Sequence, residues 1–433
     1  MTDRPVVIQK ISWADLCPWT IIFRTLPIAT SFTVLALALL AVAATPMGWM
    51  LSEVCLSTEV RATKIDELRN NTSPYRGVFL DTPDGQEPLQ MLGVRITGPR
   101  EVFRQLVAPI KKMFDRQISL GEFFYYLFGS LWTVLVWSFA GIGICRVCLL
   151  RLTRGEYAGL DDAFEFAVDN WHKAFGAVVA PLLAVGVLCI PTFVLGLFMG
   201  LDIGVLLVGL LWFIVVGISI VMGFLLLGLL FGWPLMVASV ACESQNSFDS
   251  LTRSFAYVLQ RPFHYLSYAL LAILFGGVAW VIVSSIADGM VGLTYWSVSW
   301  GANLTGGDRI DQLVTGMPII VEGNQTESSA MYLGRSAIIF WNAVIKSLAA
   351  AFLHGLFWCL ASAIYLLLRK DVDQTEMDEI YLVDEKRTYT LPPLRSDENG
   401  IPQIRRPEPD FYEGDDSSPL DQSAKDGDDG TSS

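Results

Sequence analysis

Residues 205–241 read VLLVGLLWFIVVGISIVMGFLLLGLLFGWPLMVASVA, without one charged side chain. As a helix the stretch would be about 56 Å long, nearly twice the hydrocarbon thickness of a bilayer, about 30 Å. A water-soluble core helix does not need such a run, so this segment decides the fold class. Two spans would require a polar turn, and Gly217 to Phe224 offers none. The expectation is one long tilted helix, disturbed near Gly232, Trp233 and Pro234, where proline removes a backbone donor.

Five further blocks of the same kind flank it, at 26–51, 123–150, 174–200, 265–287 and 337–368. Arg146 and Lys346 are the formal charges within all six. The whole chain of 433 residues is 53% hydrophobic and 17% charged, with a mean hydropathy of +0.47. A soluble chain would carry about a quarter charged residues. An ordinary soluble enzyme is excluded. The reading is an all-α polytopic membrane protein, because backbone polar groups in lipid must be satisfied within the segment. Pro181 and Pro191 predict kinks in the third span.

Orientation follows from lysine and arginine in short connections. With the N-terminus inside, the inner segments hold Arg4, Lys10 and Arg24, then Arg151, Arg154 and Lys173, then Arg253 and Arg261, then Arg369 and Lys370. The outer connection 201–204 holds none, and 288–336 holds Arg309 and Arg335. Six helices with both termini inside is the reading. It divides the chain into an N-terminal interfacial segment 1–25, a membrane domain 26–368 and a cytoplasmic tail 369–433. A cleavable signal sequence ending at Ala41-Val42-Ala43 is the rival for the first block, although the apolar run continues to Leu51. Cys55 alone of seven cysteines falls on the outer side, so no disulfide framework is implied there.

Outer loop 52–122 reads as a small α+β module. Residues 76–80 and 89–96 are β-prone around the turn signal Thr82-Pro83-Asp84-Gly85. Gly98-Pro99 then opens a helical pattern with Val102, Phe103, Leu106, Val107, Ile110, Met113 and Phe114 on one face. That helix either lies on the outer leaflet or packs on the hairpin of its own loop. The tail from 371 carries 18 acidic and 6 basic residues, a net of −12, and reads as disordered and solvated. It is a solubilising extension or a docking segment for a basic protein partner, with Ile380-Tyr381-Leu382-Val383 as its apolar handle. Membrane lipids are the other expected partners. Nucleic acid is not expected, and the oligomeric state is not readable.

Both long inner loops carry helical periodicity. Leu160, Phe164, Val168, Trp171 and Phe175 form one apolar stripe, and Phe248, Leu251, Phe255, Val258 and Leu259 another. Asn246 is placed to cap the second and Pro262 to stop it. Both are expected as amphipathic helices in the inner interface, with Phe255 and Leu259 toward lipid or bundle, Arg253 toward headgroups and Ser250 on the polar side. A weaker third copy, Ile11, Trp13, Leu16 and Trp19, precedes the first span.

The stretch FDSLTRSFAYVLQRPFHYLSY, from Phe248 to Tyr268, resembles the loop-to-helix junction of a broad bacterial set of six-helix membrane proteins. That set includes the membrane domain ahead of some glycerophosphodiester phosphodiesterases. The resemblance spans roughly 140–290 and implies a fold. The catalytic barrel of those enzymes needs about 250 residues, and no stretch here offers them, so no activity comes with it.

Candidate chemistry is sparse. Asp161, Glu165 and Asp169 step by four along one helix face, with Asp162 beside them. Membrane prenyltransferases pair two such clusters to hold magnesium and diphosphate, and loop 242–264 offers only Glu243 and Asp249 for a second. These three are the candidate metal ligands, against the plainer reading of a solvated face. Cys145-Arg146-Val147-Cys148 would need two more ligands for zinc, from His172, Cys242 or His264. His354 is the candidate for a polar pathway, since an ionisable group deep in a span is functional by default. Lys346 lies nearer the outer interface beside Trp341 and can snorkel. No catalytic residue and no cofactor is expected. The leading functional reading is a non-enzymatic accessory or scaffold component of the bacterial inner membrane. A transporter or lipid-handling permease, and an intramembrane transferase using the Asp161 cluster, are the alternatives.

Overall fold

A computed structural model describes residues 17–53, 98–115, 118–304, 329–375, 379–380, 395–396 and 402–403. The chain is all-α in its membrane body, with six helices long and apolar enough to cross a bilayer. A 3-10 turn, Pro18–Arg24, leads into the short α1, Thr25–Ala29. Then follow α2, Phe32–Ser52; α3, Gly98–Lys112; and α4, Leu120–Thr153. The next are α5, Leu160–Phe198; α6, Asp202–Leu210; α7, Trp212–Glu243; and α8, Ser247–Gln260. The last two are α9, Pro262–Leu304, and α10, Ser329–Asp373. The first compact unit ends at Ile380. In the second, Arg395–Ser396 pairs antiparallel with Pro402–Gln403. The β-prone stretches 76–80 and 89–96, the N-terminal Ile11–Trp13 stripe and most of the tail lie outside the described residues.

Local chemistry sets the helix ends. Ser119 and Glu122 cap α4 reciprocally: the Ser119 hydroxyl accepts from the Glu122 N–H at 3.3 Å, and the Glu122 carboxylate accepts from the Ser119 N–H at 3.0 Å. After α4, Gly155 takes φ +73°, the left-handed region that glycine enters without cost. At the turn between α5 and α6 a Cβ on Gly204 would stand 1.8 Å from the Phe198 carbonyl oxygen, so that turn closes only over glycine.

The helices meet where small residues receive large rings. The Trp132 ring of α4 covers Gly48 of α2, and the Trp49 ring of α2 covers Gly129 of α4. Trp132 Nε1 also donates to the Ala44 carbonyl at 3.0 Å. Trp358 of α10 lies on Gly141 of α4, and Val34 of α2 on Gly355 of α10. The first span therefore passes unbroken through Ala41-Val42-Ala43, with Ala41 and Val42 buried. Farther along, apolar side chains of α5, α6 and the start of α7 are exposed, Phe193, Ile203 and Phe213 among them. Such surface is far more than a soluble monomer shows and suits lipid contact.

Four expectations are corrected. The 205–241 block is broken at Leu211, between α6 and α7, and not near Gly232. Pro234 sits inside α7, buried in the bundle. The stretch 160–175 is no separate interfacial helix but the first turns of the third span, since α5 runs on through Pro181 and Pro191. The second loop does form its own helix, α8, from Asn246 to the Arg261-Pro262 break, though Asn246 makes no side-chain cap. The expectation that fails is Ser250 on the polar side: Ser250 and Ser254 are fully buried, while Phe248 and Leu259 are exposed.

The fourth correction concerns α3. It starts at Gly98 with Pro99 in its first turn, as the pattern implied. Its apolar face packs on the membrane helices themselves. Gly98 abuts Trp280 and Pro99 abuts Gly276, both on α9. Val102 is fully buried, and Phe103 stacks on Trp233 of α7 with centroids 6.0 Å apart. A helix with this much apolar surface is stabilised more by packed rings than by a headgroup layer.

Candidate functional site

The densest polar cluster gathers where α7, α8 and the end of α10 converge. Glu243 closes α7, with its side chain 12% exposed. Arg253, one and a half turns into α8, grips it with Nη1 at 2.7 and 2.5 Å from the two carboxylate oxygens. Arg369 of α10 approaches the same carboxylate with Nε at 2.9 Å. The Tyr365 hydroxyl lies 3.3 Å from Glu243 Oε1 and 3.3 Å from the Ser239 hydroxyl. Arg369 also donates to the Glu379 carbonyl at 2.6 Å, which ties the chain beyond α10 to the cluster. There Ile380 is buried.

A second carboxylate completes it. Tyr257 of α8 donates to Asp373, and Arg253 Nη1 stands 3.8 Å from the same group. Tyr268 of α9 donates to Asp371 at 2.9 Å. Burial and the Asp373 carboxylate both push the Tyr257 hydroxyl pKa up. Burial lowers the basicity of Arg253, and Glu243, Tyr365, Tyr257 and Asp373 together outweigh it and hold its pKa above the ordinary value. Both net shifts favour a neutral phenol and a charged guanidinium.

The flanking helices add cations bonded to neutral acceptors. Arg146 of α4 donates to the Ala241 carbonyl at 3.2 Å and lies 4.5 Å over the Phe166 ring of α5. Lys173 of α5 donates to the Asn170 carbonyl oxygen at 2.7 Å and to the Ser244 carbonyl at 3.1 Å. Ser250 donates to the Met236 carbonyl at 2.7 Å. The cluster thus stitches five long helices, α4, α5, α7, α9 and α10, and α8 together.

The residues singled out in the sequence lie elsewhere. Asp161, Asp162, Glu165 and Asp169 are exposed on the first turns of α5, and Asp162 accepts from the Gly159 N–H at 3.0 Å. Among the described residues no three His, Cys, Asp or Glu side chains gather as a metal site. The thiols of Cys145 and Cys148 reach the carbonyls of Trp358 and Cys359 at 3.7 and 3.6 Å, while His172 and His264 are exposed. Lys346 is half-buried beside exposed Trp341. His354 is buried, stacks on Trp137 at 4.7 Å between centroids, and its Nδ1 meets the Ala350 carbonyl at 2.8 Å.

In the sequence Glu243 stands out only as one of two acids in 242–264, Arg253 as a helix residue toward headgroups and Arg369 as an inner-side charge, and Tyr365 carries no signal of its own. One signal was present: Tyr365, Arg369 and Asp373 are spaced by four, so they share a face of α10. No protein-family model, no curated protein and no solved structure matches this chain.

Proposed function

We propose that this chain is a non-enzymatic integral membrane protein, an accessory or scaffold component of a bacterial inner membrane with both termini in the cytoplasm. The observation that carries the reading is the Glu243 cluster. An acid–base catalyst or a proton relay presents an ionisable group to open space. Here Glu243 is engaged by Arg253, Arg369 and Tyr365, so the buried charges fasten helices to one another. His354 is likewise stacked and bonded within its own bundle. What remains for a partner is the acidic tail, net −12 from residue 371.

The test is purification of the full chain and of a form ending at Ile380 from cross-linked native membranes. A basic protein in fixed ratio with the full chain, lost from the shortened form and released by salt, is the expected result. Identical protein content in both forms would overturn the tail's role. Solute movement by the chain alone in sealed vesicles would overturn the scaffold reading. The second reading, lipid handling, is favoured by an apolar cavity within the bundle.

A further inference from the structure

Under α3 the bundle forms a half-open cavity of about 260 Å³, walled by α3, α4, α5, α7 and α10. Leu106 and Ile110 supply the α3 wall, and Leu226 and Leu229 the α7 wall. Lys111 and Phe114 stand at its edge, both exposed. Close packing is the rule in protein interiors, so a void of this size between well-fitted rings calls for an occupant.

Trp233 and Trp358 also wall the cavity, at 9% and 0% exposure. Their indole N–H groups have no acceptor among the described residues, but both nitrogens are sealed from the cavity space and add no donor to it. The site combines apolar walls with one exposed cation, Lys111, at its edge.

We propose that this cavity binds one acyl chain of an anionic amphiphile. The chain lies against the apolar walls, and Lys111 answers the negative charge of the head. A membrane phospholipid and a free fatty acid share this chemistry.

Full-length protein in nanodiscs, with photoreactive probes, tests the site. The probes are a diazirine fatty acid, a phosphatidylglycerol carrying the same chain, and a diazirine hydrocarbon of equal length. At least one acyl probe should label 106–110 and 226–230 about five-fold more than the exposed α9 surface at Leu270 and Leu274, a preference of about 1 kcal/mol. Stronger labelling by the phosphatidylglycerol identifies a phospholipid site, and stronger labelling by the acid a fatty-acid site. Ile110→Trp should fill the cavity and remove that preference while sparing the α9 label. Lys111→Gln keeps the walls and removes the cation, so hydrocarbon and acyl probes should then label alike. Equal labelling of cavity and α9 surface would overturn the proposal. So would equal acyl and hydrocarbon labelling of the unaltered protein, or an acyl preference over hydrocarbon that survives Lys111→Gln.

Discussion

Glu243 shows how one side chain organises the end of a bundle. It sits between Arg253, whose side chain is 34% exposed, and Arg369, whose side chain is 8% exposed and depends on it for a counter-charge. Desolvating such a group is costly, and the cost is offset only while the counter-charge is in place. Glu243→Gln keeps the shape and removes the charge. The expected outcome is a loss of about 3 kcal/mol, the size seen when one partner of a buried pair is removed. Thermal unfolding in detergent measures it. Adding Arg253→Gln should return part of the loss, since the two residues are coupled. A single variant as stable as the parent would mean that solvent already screens the cluster. The sequence placed Glu243 and Arg253 correctly at the margin of the apolar blocks. It did not reveal their pairing, because contacts across ten residues of a turn and across more than a hundred to Arg369 carry no periodic signature.

At the level of elements, starts and stops were legible and facings were not. Pro99 and Pro262 each open a helix where their backbone chemistry requires. The periodicity of α3 was also right, yet its partners on α7 and α9 are remote in sequence and could not be read. For α8 periodicity marks an apolar stripe without saying whether lipid or bundle takes each part, and it puts Ser250 on the polar side. Phe248 and Leu259 are exposed, and Ser250 faces the bundle, where Met236 offers it a carbonyl. Phe255 packs inward as well, with Cε2 2.5 Å from where a Cβ on Gly228 would stand. Nothing in the residues around Leu211 explains the break there. The facing of α8 gives a contrast to measure. Ser250→Asp should accumulate poorly, since a carboxylate would be buried against the Met236 carbonyl in place of a hydroxyl that donates to it. Thr252→Asp, at an exposed position, should accumulate like the parent. Equal accumulation of the two would mean that α8 is not docked on α7.

Across the whole molecule, six long helices were legible because hydrocarbon admits so few charges, and α4, α5, α7, α9 and α10 all exceed the hydrocarbon thickness. Their direction through the membrane rests on the distribution of lysine and arginine alone, and the cluster supports the same direction. Arg146, Arg253 and Arg369 converge at one end of the bundle, the end that receives 243–247 and 365–373. Basic residues retained on the cytoplasmic side would gather in that way. Single cysteines in a form lacking the native ones test it in intact cells. Gly85→Cys and Gly306→Cys should react with an impermeant maleimide from outside, and Leu420→Cys should react only after lysis. Labelling at position 420 before lysis would invert the bundle. The Glu243 cluster would then face the outer side, the acidic tail could not meet a cytoplasmic partner, and α3 would enter the cavity from the cytoplasm.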